Sequence, residues 1–229
     1  RLGADKVHLI DLKRHILKPI DKNLKKYKNK YKIHVGSIEK TKFPKNYFDF
    51  ILCQGVIHHM NDDTKGFKEI YRTLKPGGKS HIMVHGKNGL ITRTMMEIIR
   101  PEYRTNPLVR EFFDLIFSKK IMLKHHNFLK KNYDVSTYKK YISFLKLIDD
   151  DFIITLKDRI LAPKYKMYEE KELILKLKKI GFKDIYRVRK PVKIQNMRRF
   201  LAPFYSKYDH EIARVLYGEG NISLMITKK

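Results

Sequence analysis

The hydrophobic pattern opens with a short apolar run, Val7 to Asp11 (VHLID), that ends in an acid. A run of this length reads as a buried strand. Similar runs occupy residues 32–35, 47–54, 80–85, 182–188 and 221–227. The second of these (YFDFILCQ) is the most apolar and predicts the best strand of the chain. Between the runs the spacing becomes helical. Ile16, Ile20, Leu24 and Tyr27 recur at steps of four, four and three, interrupted by Pro19. Phe67, Ile70, Tyr71 and Leu74 mark one face of a helix over residues 63–74. It stops at Lys75-Pro76-Gly77-Gly78, where a cation, a proline and a glycine pair predict a turn over residues 75–79. Leu173, Ile174, Leu177 and Ile180 mark a later amphipathic helix, capped by Gly181.

The order is therefore strand, helix, strand, strand, helix, strand. Runs that are apolar throughout belong to strands buried on both faces of a parallel sheet. The expected class is α/β, a Rossmann-like, mostly parallel sheet with an antiparallel last strand. Residues 86–151 break this rhythm. Ile91, Met95 and Ile98 mark one helix there. Asn106-Pro107 opens another, with Leu108, Phe112 and Leu115 on one side. A third covers residues 134–148, and more helix is expected over 197–217. The chain of 229 residues suits one domain, or one with a large insertion. Residues 1–86 and 160–229 form the expected core, and 87–159 a helical insertion or cap.

Charge changes the picture. Lys and Arg number 51 against 24 Asp and Glu, a formal net charge of +27. Such an excess serves an anionic partner, nucleic acid or a membrane surface. Biased coding gives the same excess, and the lysines are spread along the whole chain. The stretch 119–131 is denser and mixes cations with His125, His126 and Phe128. Basic residues among aromatics suit nucleic acid, and a basic amphipathic helix suits peripheral contact with an anionic bilayer. Cys53 is the only cysteine, so no disulfide framework exists. No apolar run approaches the ~18 residues of a membrane span. The opening lacks a signal-peptide layout, and a cytoplasmic address is the default.

The candidate chemistry begins at Asp11. An acid ending a strand of an open parallel sheet sits on the edge where such folds bind ligands. There it accepts hydrogen bonds from ribose hydroxyls, or else it caps a helix. Residues 35–86 say more. Gly36-Ser37-Ile38-Glu39 precedes Phe43-Pro44. Phe48-Asp49-Phe50 leads to Val56-Ile57-His58-His59. Leu74-Lys75-Pro76-Gly77-Gly78 follows, and later come Glu169-Glu170 and Gly181-Phe182. In this order and spacing, the chain resembles the class I S-adenosylmethionine-dependent methyltransferases, in particular the small-molecule group.

The resemblance implies roles by position. Asp11 would hold the ribose of S-adenosylmethionine, with Leu12 beside the adenine. Ser37 stands where many members have an Asp facing the adenine amino group, and Ile38 would pack on the adenine face. Gln54 and Gly55 would line the methionine end. His58 and His59 are candidate bases, as is His85 on the same edge, although a packed or capping histidine is the alternative. Neither His58–His59 nor His125–His126 has metal-site spacing, and Cys53 reads as a buried filler. The family's glycine-rich loop and first strand would precede Asp11, and the chain opens at Arg1-Leu2-Gly3-Ala4 instead. The sequence is therefore read as the C-terminal part of a longer protein, lacking the strand between those ending at Asp11 and Gln54 and binding cofactor poorly alone. The acceptor is expected to be a small molecule such as a lipid, quinone or polyketide-like compound. An RNA methyltransferase and a non-catalytic binder of an anionic partner remain the alternatives.

Overall fold

The computed structural model describes residues 3–13, 19–20, 22–132, 134–145, 150–188, 215–216 and 218–229. In chain order, β1 (Val7–Asp11), β2 (Tyr31–Val35) and β3 (Phe48–Gln54) come first. Helix α1 (Asp63–Thr73) leads into β4 (Leu74–His85). A helical stretch follows: α2 (Leu90–Thr94), a π-helical turn (Met95–Ile99), α3 (Arg100–Thr105), α4 (Pro107–Phe117), α5 (Lys119–Asn132), α6 (Val135–Leu145) and α7 (Asp150–Leu161). The chain closes with α8 (Glu170–Ile180), β5 (Phe182–Arg187) and β6 (Asn221–Lys228). It divides into two compact units, residues 1–82, 173–186 and 224–229 in the first and residues 83–172 and 187–223 in the second.

The first unit carries the α/β part, a Rossmann-like fold. Strands β1 and β2 pair in parallel, Val7 opposite Tyr31 and Asp11 opposite Val35. A separate four-stranded sheet has the order β3-β4-β6-β5. Helix α1 forms where the apolar spacing puts it. Asp62 caps it by accepting from Lys65 N at 3.2 Å, and Asp63 and Arg72 suit the two ends of its dipole. Its apolar face buries Phe67 and Ile70, and Leu74, Ile82, Leu173, Leu177, Leu224 and Ile226 are also buried in this unit.

Two expectations need correction. The turn over residues 75–79 is not a separate element, because β4 begins at Leu74, directly after α1. The turn chemistry persists inside the strand, where Gly77 has φ +74°. The stretch 12–30, expected as helix, is α-helical at residues 19–20 and 22–23 and then turns into a 3-10 helix at Lys25–Lys30 broken at Tyr27. The helix expected over 197–217 lies almost wholly outside the described residues.

The second unit is mainly helical. Asn106 caps α4 by accepting from Leu108 N at 3.0 Å, and Pro107 occupies the first turn. Phe113, Ile153 and Ile160 form its core, with Met95, Ile99, Tyr103 and Val109 packed against them.

Candidate active site

The parallel register of β1 and β2 brings their carboxyl ends level. Gly36 N donates to Asp11 O at 2.9 Å, which sets Asp11 and Ser37 at one rim. The Asp11 carboxylate accepts from Lys13 N at 2.8 Å, and Ser37 Oγ accepts from Glu39 N at 3.1 Å. Both side chains are thus oriented by backbone two residues downstream, an arrangement typical of short polar residues. Leu12 is 69% exposed at the same rim, and Ile38 is half-buried.

The second part of the predicted site lies at the end of β3. Gln54 Nε2 and His81 Nδ1 of β4 are 2.7 Å apart. Gly55 has φ +73°, a conformation that favours glycine. A 3-10 turn, Ile57–His59, follows. His58 has no exposed surface, and its ring lies 4.1 Å from that of half-buried His59. His58 is thus buried, and His59 is the more accessible of the two candidate bases. Cys53 is buried, and burial pushes its thiol up to about 12, so it is not a nucleophile at neutral pH.

Aromatic rings join the two sheets. His8 lies edge-on to Phe48 at 5.6 Å and to Phe43 at 5.2 Å, and His34 lies 4.9 Å from Phe43. The Phe43-Pro44 segment thus anchors the loop that follows Ser37. The structure brings Asp11 together with Ser37 on one sheet, and Gln54 with Gly55 and the histidine turn on the other.

Within the second unit, His85 ends β4 in a cluster that local sequence reading missed. Its Nδ1 lies 2.9 Å from Asn221 Oδ1 and its Nε2 3.3 Å from Asp158 Oδ2, while the Tyr165 ring stacks on it at 4.9 Å. The partners lie 136 and 73 residues away in sequence, so no periodicity or motif announces them.

The rim residues fit the sugar and base of a nucleoside cofactor. A fixed carboxylate, a hydroxyl and an exposed leucine stand together there, and an apolar side chain left in solvent beside polar acceptors suits a heterocycle.

Residues 1–82 match the family described as a methyltransferase domain. That segment contains every residue assigned above to the cofactor and the histidine turn. An uncharacterized methyltransferase, YdaC of Bacillus subtilis, is 47% identical over 47 residues, 20% of this chain and 26% of that protein. Phosphoethanolamine N-methyltransferase 2 of Caenorhabditis elegans is 35% identical over 82 residues, 35% of this chain and 19% of that protein. The chain thus spans about a quarter or less of the curated relatives it matches. A solved structure of phosphoethanolamine N-methyltransferase 2 from Haemonchus contortus, in complex with phosphomonomethylethanolamine and S-adenosylhomocysteine, superposes with a TM-score of 0.51 at 17% identity. That superposition covers 98% of this chain and 43% of the other, and it supports the fold. Residues 1–82 are thus similar to the methyltransferase-domain family, and the fold is similar to that of a solved methyltransferase.

Proposed function

We propose that this chain transfers the methyl group of S-adenosylmethionine to a small-molecule acceptor, of a lipid, quinone or polyketide-like kind. The observation that supports this most directly is the shared rim of Asp11 and Ser37, set by the β1–β2 register inside the family-matched segment. Bound there, S-adenosylmethionine supplies an electrophilic methyl on its sulfonium sulfur. Asp11 accepts from the sugar hydroxyls through the carboxylate that Lys13 N holds in place. Ser37 faces the adenine amino group, and Leu12 and Ile38 cover the ring. Gln54 and Gly55 line the amino-acid end, where glycine allows close backbone approach. Much of the acceleration then comes from orientation and exclusion of water. A base is needed only for an acceptor that arrives protonated, and half-buried His59 is the candidate on this rim. Residues 1–86 and 160–229 hold the cofactor in this reading, and the helical segment 87–159 selects the acceptor. A cytoplasmic address belongs to the same proposal.

The test is transfer of labelled methyl from S-adenosylmethionine to extracted small molecules, with phosphoethanolamine included because two of the relatives are named for it. Labelled product from the wild type and none from Asp11→Ala is the expected result. Label appearing in RNA instead would favour the reading drawn from the net charge of +27. Salt-sensitive RNA retention with no turnover would mark a binder.

A further inference from the structure

The second unit leaves a concentration of apolar side chains on its surface. Leu108 is 76% exposed, Ile98 60% and Phe112 58%. With Ile99, Val109, Phe113 and one carboxylate, Glu102, they line an open groove of about 390 Å³ along the π-helical turn, α3 and α4. Apolar surface gathered in this way marks a contact with something outside the chain.

Helix α4 itself is near neutral, with Arg110 against Glu111 and Asp114, and the helices that follow it say what that something is. Helix α5 packs against α4, and α6 against α5. From residue 119 to residue 140 the chain carries seven lysines and a single acid, Asp134. Lys124, Lys130 and Lys131 are exposed, as are Phe128 and Val135. Apolar side chains flanked by lysines are the two elements that hold a protein on anionic lipid. The first enter the boundary between head groups and acyl chains, and the second meet the negative surface potential. A second copy of the chain would bring like charge against like charge. Single-stranded nucleic acid stacks its bases on aromatic rings, whereas this groove is largely aliphatic. No helix among the described residues is long and apolar enough to cross a membrane, so the contact is peripheral.

We propose that the π-helical turn, α4 and α5 dock this chain on the surface of an anionic bilayer, with Ile98, Leu108 and Phe112 entering the head-group region and Lys124, Lys130 and Lys131 of α5 facing the lipid phosphates. This rests on the surface of the second unit and not on the methyl-transfer reading, and binding to vesicles requires neither cofactor nor acceptor.

The chain has no tryptophan, so Phe112→Trp installs a single fluorescent reporter. The full chain would be mixed with vesicles of equimolar phosphatidylcholine and phosphatidylglycerol, and separately with phosphatidylcholine alone. A blue shift confined to the anionic vesicles, with quenching by brominated acyl chains, is the expected result. Leu108→Asp combined with Phe112→Asp should lower the sedimented fraction about tenfold, and Lys130→Glu with Lys131→Glu should lower it comparably. The apolar positions are largely exposed, so circular dichroism should match the wild type. Several results would overturn the proposal. One is the absence of any shift with anionic vesicles. Another is equal binding by the double aspartate variant, which would reduce the contact to charge alone. A third is retention on RNA without sedimentation. The last is a drop in oligomer mass in the aspartate variant without vesicle binding, which would assign the groove to a second copy.

Discussion

Lys228 Nζ donates to Leu74 O at 2.8 Å, tying β6 to the point where α1 becomes β4. The same ammonium donates to Asn46 Oδ1 at 2.7 Å and lies 4.8 Å over the Tyr71 ring. Lys228 is only 4% exposed. Burial holds its ammonium below the ordinary lysine value, with Lys45 and Arg72 adding repulsion. A lysine whose folded value is lowered binds fewer protons in the folded state than in the unfolded one. The resulting cost is full below the folded value and fades as pH rises toward the unfolded value of about 10.4. Lys228→Met should therefore remove this upward slope of stability with pH. It should also cost about 1–3 kcal/mol near neutrality, because Leu74 O, Asn46 Oδ1 and, at 3.4 Å, Arg72 O lose their donor. Urea denaturation of both proteins at neutral and alkaline pH measures each effect.

Glu69 contributes to the acid side. Arg72 grips its carboxylate through Nε at 2.8 Å and Nη2 at 2.7 Å, and Thr41 N donates at 2.8 Å. The Arg72 guanidinium, helped by Thr41, holds the Glu69 carboxyl below the usual carboxylate range against the opposing effect of burial. A lowered acid contributes stability above the unfolded value of about 4.3 and loses it as pH falls through the folded value. Glu69→Gln should destabilise the chain by about 1–3 kcal/mol at neutral pH and flatten its acid limb. Thermal melts across the acid range show whether the limb flattens.

Cys53 offers a direct readout of opening. Its side chain is buried, its thiolate is suppressed by that burial, and it is the only cysteine in the chain. Thiol reagents at neutral pH should label it only as fast as β3 exposes it, and at once in denaturant. Rapid labelling under native conditions would contradict the burial.

Gly181 illustrates a glycine required twice over. Its φ is +117°, and an added Cβ would stand 2.9 Å from Cζ and Oη of Tyr71. Gly181→Ala should cost about 1–3 kcal/mol, from backbone strain and the displaced ring together. The midpoint of denaturant unfolding reports it, with no change in slope expected.

Asp11 separates binding from folding. Its recorded polar partner is the neighbouring Lys13 N. Asp11→Ala should weaken calorimetric binding of S-adenosylmethionine at least about tenfold, the loss of a charge-assisted pair of hydrogen bonds. The melting temperature should scarcely move. A fall in stability as large as the fall in binding would make Asp11 a structural cap.

Much of the first unit was legible because its signals are local. The apolar run of β3, the cap and stripe of α1 and Gly181 after α8 each sit within a few residues of the element they define. Lys228 escaped notice because a lysine ordinarily ends a buried strand, and only tertiary structure supplies the carbonyl it binds. The π-helical turn was hidden because steps of four and three at Ile91, Met95 and Ile98 look the same in an uninterrupted α-helix. At the rim, Asp11 and Ser37 lie 26 positions apart in sequence, and family resemblance rather than spacing joined them. The cluster of His85, Asn221 and Asp158 had no such guide, since those residues lie beyond the family-matched segment.

Among the described residues strand β3 ends the four-stranded sheet, and it presents Phe50 and Leu52 at 51% and 62% exposure. An outermost strand with unpaired amides and greasy side chains is a template for the next strand it meets. At high protein concentration these molecules should therefore stick to one another through that border. A lysine placed at Leu52 would act as a guard against precipitation without touching the ligand rim.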